Sequence, residues 1–164
     1  MKNRQSKLAF TMIELIFVIV VIGILASVAI PRLAATRDDA EITKARVLIG
    51  SLRSAVNMER QKRILRGNFT PIYRLTDSPT LGNRIFNAFD GNTSLEILEN
   101  PPFSCATATE QDCWRETQTG SVANPNNSQY TYNLPTGGSE VFQLNNNRFE
   151  CVNQNSANCK LLTQ

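Results

Sequence analysis

The chain has 164 residues, which is enough for one globular domain and one additional element. It contains no histidine, so the commonest general base and metal ligand in proteins is missing. Residues 1–9 carry three basic side chains and no acidic one, and the other 14 basic side chains balance the 14 acidic ones. The net charge of +3 therefore indicates a basic leader rather than a nucleic-acid-binding face, and no nucleic-acid partner is predicted.

Residues 10–30 form a run of 21 residues in which Glu14 is the one charged side chain. As an α-helix, a run of this length is about 30 Å long and matches the hydrocarbon core of a bilayer. Because Lys2, Arg4 and Lys7 precede the run, the positive-inside rule predicts a cytoplasmic start and an exported remainder.

The residues alone allow three interpretations of this run. It could be a secretory signal with a small-residue cleavage site at 27–29, a simple membrane anchor, or a buried core helix. The core helix is disfavoured because the run is apolar on every side. The signal and the anchor stay open, and both leave Glu14 unexplained, since a carboxylate inside hydrocarbon costs on the order of 3 kcal/mol.

The segment Lys7–Ile16, which reads KLAFTMIELI, resembles the class III processing motif of type IV prepilins and type II secretion pseudopilins. The resemblance continues through Gly23 to Pro31 and covers about the first 60 residues. It implies that prepilin peptidase cuts between Ala9 and Phe10 and methylates the new Phe10 amine. Ala9 stands where the family usually has glycine.

The resemblance also gives Glu14 a function. Cleavage creates a cationic amine at Phe10, and a carboxylate four residues later can pair with it or with the amine of a neighbouring subunit. Because an unpaired charge is costly in a low-dielectric environment, such pairing selects one axial register between subunits. A second interpretation, which can hold at the same time, is an acidic side chain stabilising the helix N-terminus.

The helix is predicted to continue from residue 31 to 66. Pro31 removes a backbone donor and is expected to kink or locally melt the helix. Gly67 is predicted to cap its end in a left-handed conformation. Beyond Pro31 one face is apolar, and its residues recur at helical spacing: Ile42, Ala45, Ile49, Leu52 and Val56.

A basic cluster lies near the predicted helix end and consists of Arg60, Lys62, Arg63 and Arg66. It could contact DNA phosphates, as in a competence pilin. The interpretation we favour is that it complements the helix C-terminus or pairs with a neighbouring subunit, because the mature chain is neutral.

Four cysteines lie in the last third, in two pairs of equal spacing: Cys105 and Cys113, and Cys151 and Cys159. Metal sites usually use closer pairs together with histidine, so no metal site is predicted. Disulfides fit an extracytoplasmic domain. Of the three possible connectivities we favour local pairing, although the sequence leaves the choice open.

Residues 67–164 are predicted to form a periplasmic globular domain. Residues 80–90 have apolar side chains at helical spacing and predict a short helix closed by Gly91. Residues 129–134, 140–144 and 148–152 predict an antiparallel meander of about three strands, with turns at 135–139 and 145–147. This sheet is expected to cover the apolar face of the long helix.

The sequence thus predicts an α+β, pilin-like fold with a 1–9 leader, a 10–30 transmembrane or filament-core helix, a 31–66 amphipathic continuation and a small antiparallel sheet. The resemblance implies a structural subunit, a pseudopilin or pilin, that is not an enzyme and needs no cofactor. Its expected partners are itself, other pilin-like subunits, prepilin peptidase, the inner-membrane assembly platform and membrane lipid.

The expected location is the inner membrane, in a single pass with a cytoplasmic N-terminus, or a filament on the cell surface. Two other functions stay open. One is a minor pilin for DNA uptake, and the other is a single-span, membrane-anchored periplasmic binding protein.

Overall fold

A computed structural model describes residues 10–164, so the predicted leader, including Ala9, lies outside the described residues. The chain divides into two compact units, the first ending at Asp39 and the second comprising Ala40–Gln164. The second part of the long helix therefore belongs to the same unit as the residues that follow it.

Helix α1 spans Met12–Leu65. Its assignment runs without a break through Pro31, so local melting is not seen there, and a kink stays a prediction. The helix ends in a Schellman motif, in which Asn68 N–H donates to the Arg63 carbonyl at 2.8 Å and Gly67 N–H donates to the Ile64 carbonyl at 2.9 Å. Gly67 has a φ of 73°, as a left-handed cap requires, and the predicted helix end is confirmed.

The main sheet is a four-stranded antiparallel meander in the order β3-β4-β5-β6. Its strands are β3 (Cys113–Gln118), β4 (Gln129–Asn133), β5 (Ser139–Asn145) and β6 (Arg148–Cys151). A two-stranded antiparallel sheet precedes it, formed by β1 (Ala88–Phe89) and β2 (Asn92–Glu96). The α+β class predicted from the sequence is confirmed.

The core of the second unit joins the apolar face of α1 to the sheet. All five residues of the predicted helix face are buried, as expected from their spacing. Around them is a cluster of aromatic rings in edge and stacked contacts, formed by Phe86, Trp114, Tyr130, Tyr132, Phe142 and Phe149. Since each such ring buries a large apolar area, this cluster contributes much of the packing energy of the unit.

The helix predicted over residues 80–90 is wrong. The structure has turns there, an isolated bridge between Arg84 and Phe103, and then strand β1. Phe86 and Asp90 adopt positive φ values of 59° and 56°, which a right-handed helix cannot contain. Ile85, Phe86 and Phe89 are buried by these turns instead.

Strands β1 and β2 were not predicted, and neither were two longer elements of the second unit. Strand β3 adds a fourth strand to the expected three, and helix α2 (Ala157–Thr163) forms near the C-terminus. The Ser156 side chain caps α2 by accepting a hydrogen bond from Cys159 N–H at 2.9 Å.

Disulfides join Cys105 to Cys113 and Cys151 to Cys159, which is the local pairing favoured from the sequence. The first closes the loop before β3, and the second ties α2 to the end of β6.

Candidate functional site

The N-terminal end of α1 is organised by Thr11 and Glu14. The Glu14 carboxylate accepts hydrogen bonds from Thr11 N–H at 3.1 Å and from Thr11 Oγ1 at 3.0 Å, and Glu14 N–H donates to Thr11 Oγ1 at 3.3 Å. This reciprocal arrangement is a capping box, which satisfies backbone donors at the start of a helix. The capping box is thus the geometry through which Glu14 is predicted to stabilise the start of the helix.

The apolar run that follows has no packing partner within the described chain. Met12–Ile30 is long and apolar enough to cross a membrane, with a mean hydropathy of 3.0, and none of that window is buried. Phe10, the first described residue, is also exposed. A helix that is apolar on every side requires an apolar environment, and the described residues do not supply one.

The predicted site residues of the first unit are therefore placed as follows. Phe10 directly precedes the capping box, Glu14 belongs to it, and Pro31 lies within α1. Within the described residues, no basic side chain forms an ion pair with Glu14. The cleavage, methylation and register functions of these residues stay predictions.

Of the predicted basic cluster, two arginines have structural contacts. Arg63 is buried and forms ion pairs with Glu59 at 2.9 Å and with Asp90 at 2.7 Å. Arg60 donates to the carbonyl groups of Phe69 and Thr70 at 3.1 Å each. These contacts favour the interpretation that the cluster holds the end of α1, rather than a DNA-binding surface.

Asp90 connects the end of α1 to the segment that follows it. Besides pairing with Arg63, its carboxylate accepts hydrogen bonds from Tyr73 N–H at 2.8 Å and Arg74 N–H at 3.1 Å. One pattern could have indicated part of this network, namely the i,i+4 spacing of Glu59 and Arg63. No sequence pattern indicated that the distant residue Asp90 would pair with Arg63.

Arg74 continues the network into the sheet. It binds Glu116 of β3 through two hydrogen bonds, from Nε at 3.0 Å and from Nη2 at 2.7 Å. Burial by itself lowers the pKa of Arg74, but the Glu116 hydrogen bonds and charge outweigh it and raise that pKa. The Glu116 side chain is 1% exposed, so this two-pronged pair keeps a buried carboxylate satisfied.

A second polar group lies where the disulfide loop before β3 meets α1. Tyr132 Oη donates to Asp112 at 2.8 Å, and Lys44 Nζ pairs with Glu41 at 2.8 Å. Burial raises the pKa of Asp112, the Tyr132 hydrogen bond opposes this, and the nearby Glu41 carboxyl adds to it. The pKa of the Tyr132 hydroxyl is also raised, first by burial and then by Asp112.

Among residues 10–164, no group of three or more His, Cys, Asp or Glu side chains is placed to hold a metal ion. The buried polar groups described above are paired with one another across different elements of the second unit. Their geometry supports the fold. The candidate functional features are instead Glu14 at the start of α1 and the exposed apolar run of that helix.

Comparison with known proteins addresses that N-terminal region directly. Residues 4–30 match the family described as the prokaryotic N-terminal methylation motif. The chain is also 44% identical over 56 residues to a type II secretion system core protein G from Klebsiella michiganensis. That alignment covers 34% of this chain and 39% of the relative, so the chain spans about two fifths of the curated relative it matches.

No solved structure matches the chain. The family match covers Phe10, Glu14 and the exposed apolar run together, and its bounds enclose the capping box. Residues 4–30 of this chain therefore carry the prokaryotic N-terminal methylation motif.

Proposed function

We propose that this protein is a structural subunit of a pilin-like filament, and that it functions as a pseudopilin of a type II secretion system. The observation that carries the proposal is the match of residues 4–30 to the methylation motif, together with an apolar helix at Met12–Ile30 that the described residues leave unburied. The similarity to a type II secretion core protein favours secretion over a surface pilus. The protein acts by polymerising and has no catalytic activity.

Maturation begins at the N-terminus. Prepilin peptidase cuts between Ala9 and Phe10 and methylates the new Phe10 amine. Alanine in place of glycine before the cut still presents a small side chain. Phe10 is exposed in the described chain, which supports access to this position.

The mature chain crosses the inner membrane once before assembly. Met12–Ile30 spans the bilayer, and the basic side chains at Lys2, Arg4 and Lys7 keep the leader in the cytoplasm. The second unit then lies in the periplasm. Its two disulfides support this orientation, because such bonds persist in an oxidising compartment.

Glu14 sets the register between subunits. Its capping-box bonds to Thr11 leave carboxylate acceptor capacity unused, since an ionised carboxylate offers about four acceptor positions. The methylated amine of a neighbouring Phe10 occupies that capacity during assembly. Because both charges lie in a low-dielectric helix bundle, a subunit placed out of register leaves them unpaired.

The partners of the mature subunit follow from this scheme. The apolar segments of several copies, and of other pilin-like subunits, pack together as membrane lipid is replaced by helix contacts. The inner-membrane assembly platform delivers subunits to the growing filament, after prepilin peptidase has processed them.

The test is mass spectrometry of the N-terminal peptide of protein purified from its native membrane. A chain that starts at methylated Phe10 supports the proposal. A start at Met1 indicates a simple anchor, and a start near Ile30 indicates a secreted domain; either would overturn it. The variant Ala9→Gly is the matched control, because it restores the usual residue before the cut and should be processed at least as completely.

A further inference from the structure

The end of α1 presents an apolar surface that the fold does not cover. We call it the tip patch and define it as Ile64, Leu65, Arg66 and Phe69. Leu65 is 87% exposed and Phe69 is 69% exposed, although both are large apolar side chains. Ile64, 45% exposed, is the neighbour of Leu65 in the chain, and exposed apolar side chains that lie together mark interaction sites more often than isolated ones do.

The tip patch is held in a fixed shape. The Schellman motif fixes the turn at Gly67, and Arg60 holds the backbone that follows by donating to the Phe69 carbonyl at 3.1 Å. Within the described chain, Arg66 makes no ion pair and no side-chain hydrogen bond. The patch is therefore a preorganised apolar surface with one available positive charge. Its preorganisation lowers the conformational entropy that is lost on binding.

A groove of about 410 Å³ lies elsewhere on the same unit. We call it the side groove, and its walls come from α1 and from the segment after β2: Thr43, Lys44, Val47, Leu48, Ser51, Leu98, Glu99 and Asn100. Val47, which is 65% exposed, lies in its wall together with Leu48 and Leu98.

The side groove has one available negative charge, at Glu99. Lys44 is already paired with Glu41 at 2.8 Å, so its charge is compensated. Glu99 is exposed and has no ion pair among the residues that the structure describes. The groove thus combines an apolar wall with an available carboxylate, which complements the tip patch in both respects.

We infer that the tip patch of one copy docks into the side groove of a second copy, with Arg66 beside Glu99. This inference rests on the proposed filament function and names the contact through which the soluble units associate. The two surfaces differ and lie on one compact unit, so their contact is heterologous and leaves a free patch and a free groove at the two ends. Contacts of this type build open filaments when their rotation does not close a ring.

The geometry of α1 determines the axial offset between the two docked copies. Val47 and Leu65 lie on the same helix and are 18 positions apart, which corresponds to about 27 Å along its axis. With the helices of the two copies parallel, docking offsets one copy from the other by that distance.

Disulfide crosslinking in the full-length chain tests the contact. All four native cysteines are in disulfides, so an introduced cysteine supplies the reactive thiol. Two differently tagged copies, one with Leu65→Cys and one with Val47→Cys, are produced together in the native membrane and mildly oxidised. We expect a crosslinked dimer that carries both tags. The control pairs Leu65→Cys with Val122→Cys, an exposed apolar residue outside both surfaces, and should give only background.

Co-purification of the two tags without oxidation reports association separately. If the copies associate and the tip–groove pair links no better than the control, the inference is overturned while the proposed filament function stands. If the copies do not associate at all, both fail. If the copies associate and the tip–groove pair links above the control, both are supported.

A charge exchange tests the assigned register. Arg66→Glu and Glu99→Arg should each lower the yield of the Leu65→Cys/Val47→Cys crosslink by about two- to fivefold, the range expected for an exposed ion pair. The double variant should restore it. Unchanged yields in the single variants, or no recovery in the double variant, would overturn the pairing of Arg66 with Glu99.

Discussion

The two units of this protein differ in how their apolar side chains are buried. In the second unit, apolar residues are buried against the sheet, and the buried charges of Arg74 and Glu116 are paired with each other. In the first unit, none of the run from Met12 to Ile30 is buried by the residues that the structure describes. The second unit can therefore be stable alone, whereas the apolar run of the first needs an apolar environment.

The sharpest test of this difference is Glu14→Ala. If Glu14 pairs with the Phe10 amine of a neighbour, its removal leaves that amine unpaired and weakens assembly by about 3 to 5 kcal/mol. The yield of filaments measures this loss. Thr11→Ala is the control, because it removes a capping partner and leaves the carboxylate in place. Equal loss of filaments in Thr11→Ala and Glu14→Ala would assign the effect to the helix cap, because each variant removes one member of the capping box.

Matched leucine truncations compare the two units directly. Leu52→Ala removes a fully buried side chain of the core and should lower the free energy of unfolding by about 2 to 5 kcal/mol. Leu15→Ala truncates an exposed side chain of the first unit and should leave this quantity unchanged. The fluorescence of Trp114, which is buried in the second unit and is the single tryptophan of the chain, follows unfolding in detergent. An equal loss of unfolding free energy in the two variants would contradict the difference in burial between the two units.

The second disulfide should stabilise the unit that contains it. In the loop-entropy model, opening a loop of this size by replacing Cys151 and Cys159 with serine costs about 2.5 kcal/mol. Denaturant unfolding of the double variant, again followed by Trp114, measures this cost. An unchanged midpoint would mean that the packing of α2 alone holds the tail.

The smallest expected effect is a pH dependence at Asp112. Because the pKa of Asp112 is raised in the folded state, the folded chain holds this proton more tightly than the unfolded chain does. Stability should therefore decline as the pH rises from about 4 through the raised pKa. Asp112→Asn should remove this slope.

Asp77→Asn is the control for that measurement, because Asp77 is an exposed aspartate of the same unit. Unfolding midpoints at several pH values give the slopes of the three proteins. A slope that persists in Asp112→Asn would locate the titration at another group.

Sequence reasoning succeeded where the determining contacts are local. The apolar face of α1 and the strands β4 to β6 follow from helical spacing, alternation and turn residues, and the structure confirms them. The end of α1 was predictable because a left-handed cap requires a residue such as Gly67.

It failed where distant contacts decide the outcome. Strand β3 contains charged residues, and Glu116 is buried in it because Arg74, 42 positions away, supplies the partner. The apolar spacing at residues 80–90 indicated a helix, but packing among the aromatic rings favours turns with Phe86 in a left-handed conformation. The motif at the N-terminus was readable because it depends on linear spacing alone.

The capping box at the start of α1 has a consequence for the order of events. Every atom of that cap belongs to Thr11 and Glu14, both downstream of the proposed cut after Ala9. Removing the leader would therefore delete none of these three hydrogen bonds. If the proposed cut takes place, it changes the charge of the terminus and leaves this capping box in place.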